Sequence, residues 1–192
     1  MPHANPAALE FLLNRRSRPA KTLTTPVPTR DELIPILTAA ARTPDHGKLE
    51  PWRFIVLGHG ALQEIAAKIP ARGAALGIED EKIEKAQRQY ADAHLAVVVV
   101  AAPKENPKIP LIEQLYSAGA VCLALLNAAL AAGWGANWLS GWASHDPDFC
   151  RDALNLGEGE TVAGLIHIGS QTNTPPERPR PDLDAITDWS RA

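Results

Sequence analysis

A long apolar stretch, AGAVCLALLNAALAAG at residues 118–133, restricts the fold more than any other part of the sequence. It carries no charged side chain, yet it is shorter than the about 20 apolar residues that a helix needs to cross a bilayer. Together with the residues before it, the stretch predicts a helix over residues 111–132 that ends at Gly133, a residue suited to a C-cap. Because this helix is apolar on nearly every side, we expect a thick core or a subunit interface to bury it.

Four shorter segments predict β-strands around this helix. Residues 94–102 contain VVVV, a β-branched run too uniform to alternate, which predicts a strand covered on both faces. Residues 52–57 (WRFIVL) predict a short buried strand, and residues 162–168 predict a last core strand. Residues 136–142 are expected to form a strand or a strand-like turn.

Helical patterns separate these strands without a regular alternation. Thr29 and Glu32 stand at capping-box spacing, and Asp146 before Pro147 is a typical N-cap. The predicted helices cover residues 6–15, 29–42, 61–69, 80–93 and 146–156, and the predicted loops cover residues 19–28 and 43–51. Since two helices precede the first strand and two more separate it from the next, the pattern favours an α+β fold.

Size and composition narrow the class of protein. The 192 residues predict one domain, because a domain has about 150 residues. The net charge of −3 excludes the broad basic surface of a dedicated nucleic-acid binder. Two cysteines without C-x-x-C spacing, and no recognisable signal peptide, predict a reduced cytoplasmic protein that does not lie in a membrane. The six histidines form no i,i+4 pair, so no metal site is predicted.

The charge is unevenly distributed, and its basic part contains the first candidate site. Residues 1–60 hold eight Lys and Arg against five Asp and Glu, whereas the remainder holds 11 against 17. Within the basic part, Arg15, Arg16 and Ser17 follow the first predicted helix. Guanidinium groups and a hydroxyl are suitable donors to a phosphate or another anion. The alternative is a solvated helix end, where basic residues complement the helix dipole.

Two further segments are candidates for a pocket. In residues 42–46 (RTPDH), His46 could exchange hydrogen bonds with a ligand, and the alternative is a turn built on Asp45. In residues 133–142 (GWGANWLSGW), glycines permit close approach to a flat ligand and three tryptophans could wall an aromatic pocket, although tryptophans are also common in cores. The motifs G-x-G-x-x-G, Walker A, G-x-S-x-G and H-E-x-x-H do not occur.

In their order and spacing, these segments resemble the FMN-dependent nitroreductase family, in particular its short-chain branch. The resemblance covers about residues 8–170, and its matching segments are RRS at 15–17, AARTPDH at 40–46, PWRF at 51–54, EQLYSAGA at 113–120 and GWGANW at 133–138. It implies an α+β sandwich with a central mixed or antiparallel sheet flanked by helices. It further implies an intertwined homodimer with one FMN per subunit at the interface. Residues 1–170 would form the FMN-binding domain, and residues 171–192 a proline-rich arm packed on the partner subunit.

The resemblance also implies cofactor-binding residues from both subunits. Those expected beside the flavin and its phosphate are Arg15, Arg16, Ser17, Trp138, Leu139 and Ser140, and those expected from the partner subunit are Arg42 and His46. Leu139 stands where close relatives often have arginine, so one phosphate or ribityl contact is expected to be missing. Arg178 or Arg180 is expected to replace it, because many members bring a basic C-terminal residue to the phosphate.

The activity implied by the resemblance is that of an NAD(P)H oxidoreductase. NAD(P)H would give a hydride to flavin N5 and leave, and a nitroaromatic, a quinone or a similar small molecule would then accept it in a ping-pong mechanism. No catalytic side chain is required, because the flavin carries the redox chemistry. A flavin carrier without substantial turnover is the alternative on the same scaffold. A hydrolase or transferase that uses Ser17 or His46 without a flavin is a third hypothesis.

Overall fold

This computed structural model describes residues 3–190 of the chain. These residues contain eight α-helices and five β-strands, joined by loops and two 3-10 turns. The helices are α1 (Pro6–Asn14), α2 (Arg30–Ala40), α3 (His59–Ala75), α4 (Asp80–Ala91), α5 (Leu111–Ala131), α6 (Trp142–His145), α7 (Pro147–Leu154) and α8 (Leu183–Ile186). The strands are β1 (Leu23–Thr24), β2 (Trp52–Gly58), β3 (Leu95–Ala101), β4 (Gly135–Leu139) and β5 (Thr161–Gln171). The predicted α+β class is confirmed.

The five strands form one sheet in which β5 has the most partners. β3 pairs with β2 on one side and with β5 on the other, while β1 and β4 both pair with β5. Every pairing between the described strands is antiparallel. The register places Val98 opposite Leu165 and Trp138 opposite Ile166. Of the two sheet types that the resemblance left open, the structure has the antiparallel one.

Helices cover both faces of this sheet. On one face α2 and α5 pack against Val97 and Val99 of β3. On the other face α3, α4 and α7 pack against Val98 and Val100. All seven residues of β3 are buried, which confirms the prediction that helices or loops cover this β-branched strand on both sides.

The apolar stretch lies in α5, the longest helix of the described residues. The helix ends before Gly133, whose φ of 88° is the left-handed conformation expected after a C-cap. By length and composition α5 could cross a membrane, but it packs against α2, β3, β4 and β5. Its buried residues are Gln114, Ser117, Ala118, Val121, Cys122, Leu125, Leu126 and Ala129. The prediction of a core helix is therefore confirmed for one side of α5, while the other side is exposed.

Several segments differ from the prediction. The strand expected over residues 136–142 ends at Leu139, and helix α6 begins at Trp142. β2 is half-exposed rather than buried, because it is the edge strand beyond β3. The predicted loop over residues 19–28 contains a short 3-10 turn (Ala20–Thr22) and β1, which pairs with the end of β5. Helix α3 continues through Pro70 to Ala75, because its last turns pack against α4.

Candidate functional site

Residues 15–18 follow α1 and are fixed to strand β4. The Arg18 N–H donates to the Ala136 carbonyl (2.8 Å), and Asn137 Nδ2 donates to the Arg18 carbonyl (2.7 Å). The second of these bonds joins residues that lie 119 positions apart in the sequence. They bring the predicted RRS segment beside the strand that carries Trp138.

Two glycines allow β1 to pass close to this junction. A Cβ added at Gly169 would lie 2.8 Å from the Thr24 carbonyl oxygen. A Cβ added at Gly135 would lie 2.6 Å from Leu23 Cδ2. Side chains at these positions would push β1 away from the sheet, and only Pro19 and the 3-10 turn (Ala20–Thr22) separate β1 from the basic segment. The two glycines therefore help to position the arginines.

A cavity of about 500 Å³ opens between the basic segment, α5 and β4, and we call it the aromatic cavity. Its polar lining consists of Arg15, Ser17, Ser140 and His145. Its apolar lining consists of Trp138, Leu139, Ala163, Leu123 and Leu126. Five of the residues that the resemblance implies as flavin contacts thus line one cavity.

A second cavity has a volume of about 550 Å³. It lies beside the aromatic cavity, and Arg15 and Ser17 line both. We call it the arginine cleft. Its remaining lining residues are Arg16, Arg178, Pro179, Arg180 and Pro181. The C-terminal segment therefore brings both candidate arginines, rather than one of them, to the same place as the RRS segment.

The arginine cleft has an excess of positive charge. Among the described residues, Glu177 is the carboxylate that pairs with its arginines, at 3.8 Å from Arg16 Nη1 and 3.1 Å from Arg180 Nη2. Arg16 also donates to the Pro176 carbonyl (2.5 Å), and Arg180 to the Leu13 carbonyl (2.8 Å). Four guanidinium groups against one carboxylate make a cleft that favours an anionic ligand.

Arg15, which lines both cavities, has a buried donor without a partner. Its Nη2 donates to Ser17 Oγ (3.1 Å), but its Nε is buried without a hydrogen-bond partner. Burial lowers the pKa of Arg15, and the positive charges of Arg16 and Arg180 lower it further. Because an unpaired buried donor costs free energy, an anion or carbonyl oxygen against Arg15 would stabilise the site.

Arg42 and His46 line neither cavity in their own chain. His46 lies in a short 3-10 turn (His46–Lys48), where its Nδ1 is 2.6 Å from Glu113 Oε2 at the start of α5. Ser117 ties this loop to α5, because its Oγ donates to the Pro44 carbonyl (2.8 Å) and accepts from Trp52 Nε1 (3.1 Å). A role in the site for Arg42 and His46 of the partner subunit stays a prediction.

The sequence patterns missed four residues of the aromatic cavity. Leu123 and Leu126 belong to the apolar stretch, where nothing distinguishes a cavity wall from a core residue. The sequence patterns gave His145 no role, although it directly precedes the predicted N-cap Asp146. The Asp146 carboxylate accepts from the Phe149 N–H (2.7 Å) and pairs with an arginine of α3 at 2.8 Å, which fixes α7 and with it His145. Ala163 carried no signal at all.

Comparison with known proteins identifies relatives over most of the chain. The model of the nitroreductase family matches residues 12–170. The chain is 37% identical over 163 residues to the YdjA protein of Escherichia coli strain K12, whose curated name describes an NAD(P)H nitroreductase. This match covers 85% of the chain and 87% of the relative.

Solved structures share the fold at lower sequence identity. A nitroreductase-like family protein from Bacillus cereus superposes with a TM-score of 0.78 at 20% identity, and the match covers 100% of this chain and 99% of that one. NfnB from Sphigopyxis sp. strain HMH, described as an FMN and NADPH-dependent nitroreductase, gives a TM-score of 0.69 at 22% identity. That match covers 95% of this chain and 98% of NfnB.

Proposed function

The chain belongs to the nitroreductase family and is an oxidoreductase, and we propose that it uses FMN to transfer hydride from NAD(P)H to a small-molecule acceptor. A nitroaromatic or a quinone is the expected class of acceptor, and a ping-pong order of substrates is the expected kinetic scheme. Bound FMN would supply the redox chemistry, and the protein would supply binding, orientation and electrostatics.

The observation that carries this proposal is that the two cavities share Arg15 and Ser17 as lining residues. FMN has a flat ring system at one end and a phosphate at the other. The aromatic cavity offers Trp138 and Leu139 to a ring, and the arginine cleft offers guanidinium groups to a phosphate. Arg15 and Ser17 lie where the two cavities meet. The residues present therefore fit the cofactor.

Each group of residues has a distinct task in this proposal. Arg16, Arg178 and Arg180 would hold the phosphate, and they compensate for Leu139, which has no donor. Arg15 would donate to the ring from its unpaired Nε and stabilise negative charge there. Trp138 and Leu139 would exclude water from one side of the ring.

We further propose that the protein is a homodimer. Helix α1 buries none of its residues, and it exposes Leu9, Leu12 and Leu13 at 59%, 55% and 61%. Helix α5 exposes Leu111, Ile112, Leu115, Tyr116 and Leu123 on its outer side. Several exposed large apolar side chains on one helix are typical of an interaction site. The proposed arm over residues 171–192 also exposes Leu183, Ile186 and Trp189.

The visible spectrum of the purified protein tests the proposal. We expect a yellow protein, or an apo-protein that takes up added FMN, and we expect anaerobic NADPH or NADH to bleach the bound flavin. A bound flavin that neither nucleotide bleaches would favour a flavin carrier. A colourless protein that takes up no FMN would contradict the proposal and favour a flavin-free hydrolase or transferase.

A further inference from the structure

Gly164 of β5 lies directly against the indole ring of Trp138. A Cβ added at Gly164 would lie 2.1 Å from Trp138 Nε1, 2.7 Å from Cδ1 and 2.9 Å from Cε2. Trp138 stands opposite Ile166 in the β4–β5 register, so Gly164 is its diagonal neighbour on the same face of the sheet. The indole therefore occupies the space that any side chain at position 164 would fill.

The backbone conformation of Gly164 does not require glycine, although a β-bulge in the β3–β5 pairing lies next to it. Gly164 lies inside β5 and is not one of the glycines with positive φ, which are Gly47, Gly77, Gly133 and Gly159. The three atoms nearest to an added Cβ all belong to the Trp138 ring. By contrast, the nearest atom at Gly169 is a backbone oxygen of β1. The constraint at position 164 is therefore steric, and Trp138 imposes it.

This contact determines where the indole lies relative to the aromatic cavity. Trp138 keeps 38% of its surface exposed and lines the cavity together with Ala163, the residue next to Gly164. With one edge on Gly164, the indole stays close to the sheet. A methyl group at position 164 would lift the ring away from β5 and move it relative to the other cavity walls.

We propose that Gly164 is a positioning residue, which acts through Trp138 and holds the indole where it can form one wall of a slot for a planar ring. The location of the indole is a property of the chain alone. The assignment of this slot to a flavin ring rests on the proposed function. Gly164→Ala should therefore displace the indole and weaken FMN binding without straining the backbone.

The first measurement follows the indole without any ligand. The chain has five tryptophans, so the ¹H–¹⁵N spectrum of the full-length protein should show five indole N–H signals. The signal that Trp138→Phe removes identifies Trp138. We expect Gly164→Ala to shift that signal and to leave the other four nearly unchanged. Gly60→Ala is the matched control, because an added Cβ there meets no atom within 4 Å, and it should shift none of them.

The second measurement is the affinity of the apo-protein for FMN, read from quenching of flavin fluorescence. We expect Gly164→Ala to raise the Kd roughly tenfold, as for the loss of an aromatic contact. In a Trp138→Ala background, the same substitution should change the Kd by less than about twofold, because Gly164 then has no ring to position. Gly60→Ala should leave the Kd unchanged.

Each outcome supports or overturns one part of the proposal. An unmoved Trp138 signal overturns the positioning role, whether or not the protein binds FMN. A moved signal with an unchanged Kd overturns the link to the ring slot. A wild-type protein that takes up no FMN overturns the proposed function, while the spectrum still decides the positioning role. If Gly164→Ala alone does not fold, the double variant with Trp138→Ala should fold, and its failure to fold would show that Trp138 is not the cause.

Discussion

At the scale of single residues, Arg15 and His167 both contain buried nitrogen atoms without a hydrogen-bond partner, but the two residues behave in opposite ways. Arg15 keeps its charge and has a free Nε donor at a cavity wall. His167 is 2% exposed within β5, and neither of its ring nitrogens has a partner. The arginine therefore favours a ligand, whereas the histidine favours its own neutral form.

Replacing Arg15 tests the proposed contact with FMN. We expect Arg15→Ala to raise the Kd for FMN by roughly ten- to a hundredfold, because a hydrogen bond from a charged group contributes about 1.5–3 kcal/mol. The reduction potential of the bound flavin should fall as well, since a positive charge near the ring favours the reduced anion. Fluorescence titration and dye equilibration measure the two values. Arg151→Ala, at an exposed position of α7, is the control. An unchanged Kd and potential in Arg15→Ala would remove Arg15 from the site.

Because His167 is buried, we predict that the protein loses stability in mild acid. Burial lowers the pKa of His167 to about 4 from its ordinary 6.5. Between these values the unfolded chain binds more protons than the folded one. The free energy of unfolding should therefore decrease as the pH falls from about 6.5 to about 4, by up to about 3 kcal/mol from this residue.

Urea unfolding of the wild type and of His167→Leu at several pH values measures this contribution. The substitution removes the titrating group and keeps an apolar side chain in the core. We expect a shallower decrease of stability below pH 6.5 in the variant. Parallel pH profiles for the two proteins would show that His167 does not set the acid sensitivity.

At the scale of elements, the contact between α3 and α4 depends on one glycine. A Cβ added at Gly73 of α3 would lie 2.5 Å from Ile83 Cγ1 of α4, whereas one added at Gly60 of the same helix would meet nothing within 4 Å. Gly73→Ala should lower the free energy of unfolding by about 1–3 kcal/mol through overpacking. Gly60→Ala should raise it by up to about 1 kcal/mol, because alanine favours a helix more than glycine does.

Chemical denaturation of both variants measures whether each substitution lowers or raises the free energy of unfolding. The pair is matched, since both glycines lie in α3 and receive the same methyl group. A destabilisation of equal size at both positions would mean that the α3–α4 contact tolerates a methyl group and that the effect comes from the helix itself.

At the scale of the whole molecule, the proposed dimer makes a prediction about mixed subunits. If Arg15 of one subunit and His46 of the other serve the same site, Arg15→Ala and His46→Ala should each weaken FMN binding in the pure variants. In a randomly mixed dimer population, half of the dimers contain both variants, and each of these has one intact site. About a quarter of all sites should then bind FMN with wild-type affinity.

Titration of the mixed population at limiting FMN measures that fraction. The control is a mixture of Arg15→Ala with Ser17→Ala, because these residues adjoin in one subunit and no intact site can form. Equal results for the two mixtures would contradict a site shared between subunits. Light scattering should give twice the chain mass of 20.6 kDa for the wild type.

Local patterns predicted the elements well where one physical requirement dominated. The run VVVV allowed only a strand covered on both faces, and the Thr29 and Asp146 caps marked the starts of α2 and α7. The same patterns failed for β2, because an apolar run does not reveal whether a strand lies at the centre or the edge of a sheet. They also failed for β1, since its two residues are held only by pairing with β5.

By itself the sequence determined the α+β class, the core helix, the basic segment and, through resemblance, the family. These follow from local composition and from the order of motifs along the chain. Only the tertiary structure decided that both Arg178 and Arg180 lie beside Arg15 and Arg16 in the arginine cleft. It also decided which further residues line the aromatic cavity beside Trp138, namely Leu123, Leu126, Ala163 and His145. The physical reason is that these contacts link segments far apart in the sequence, through bonds such as Arg18 N–H to Ala136 and packing such as Trp138 on Gly164. No local preference of either segment encodes such a meeting.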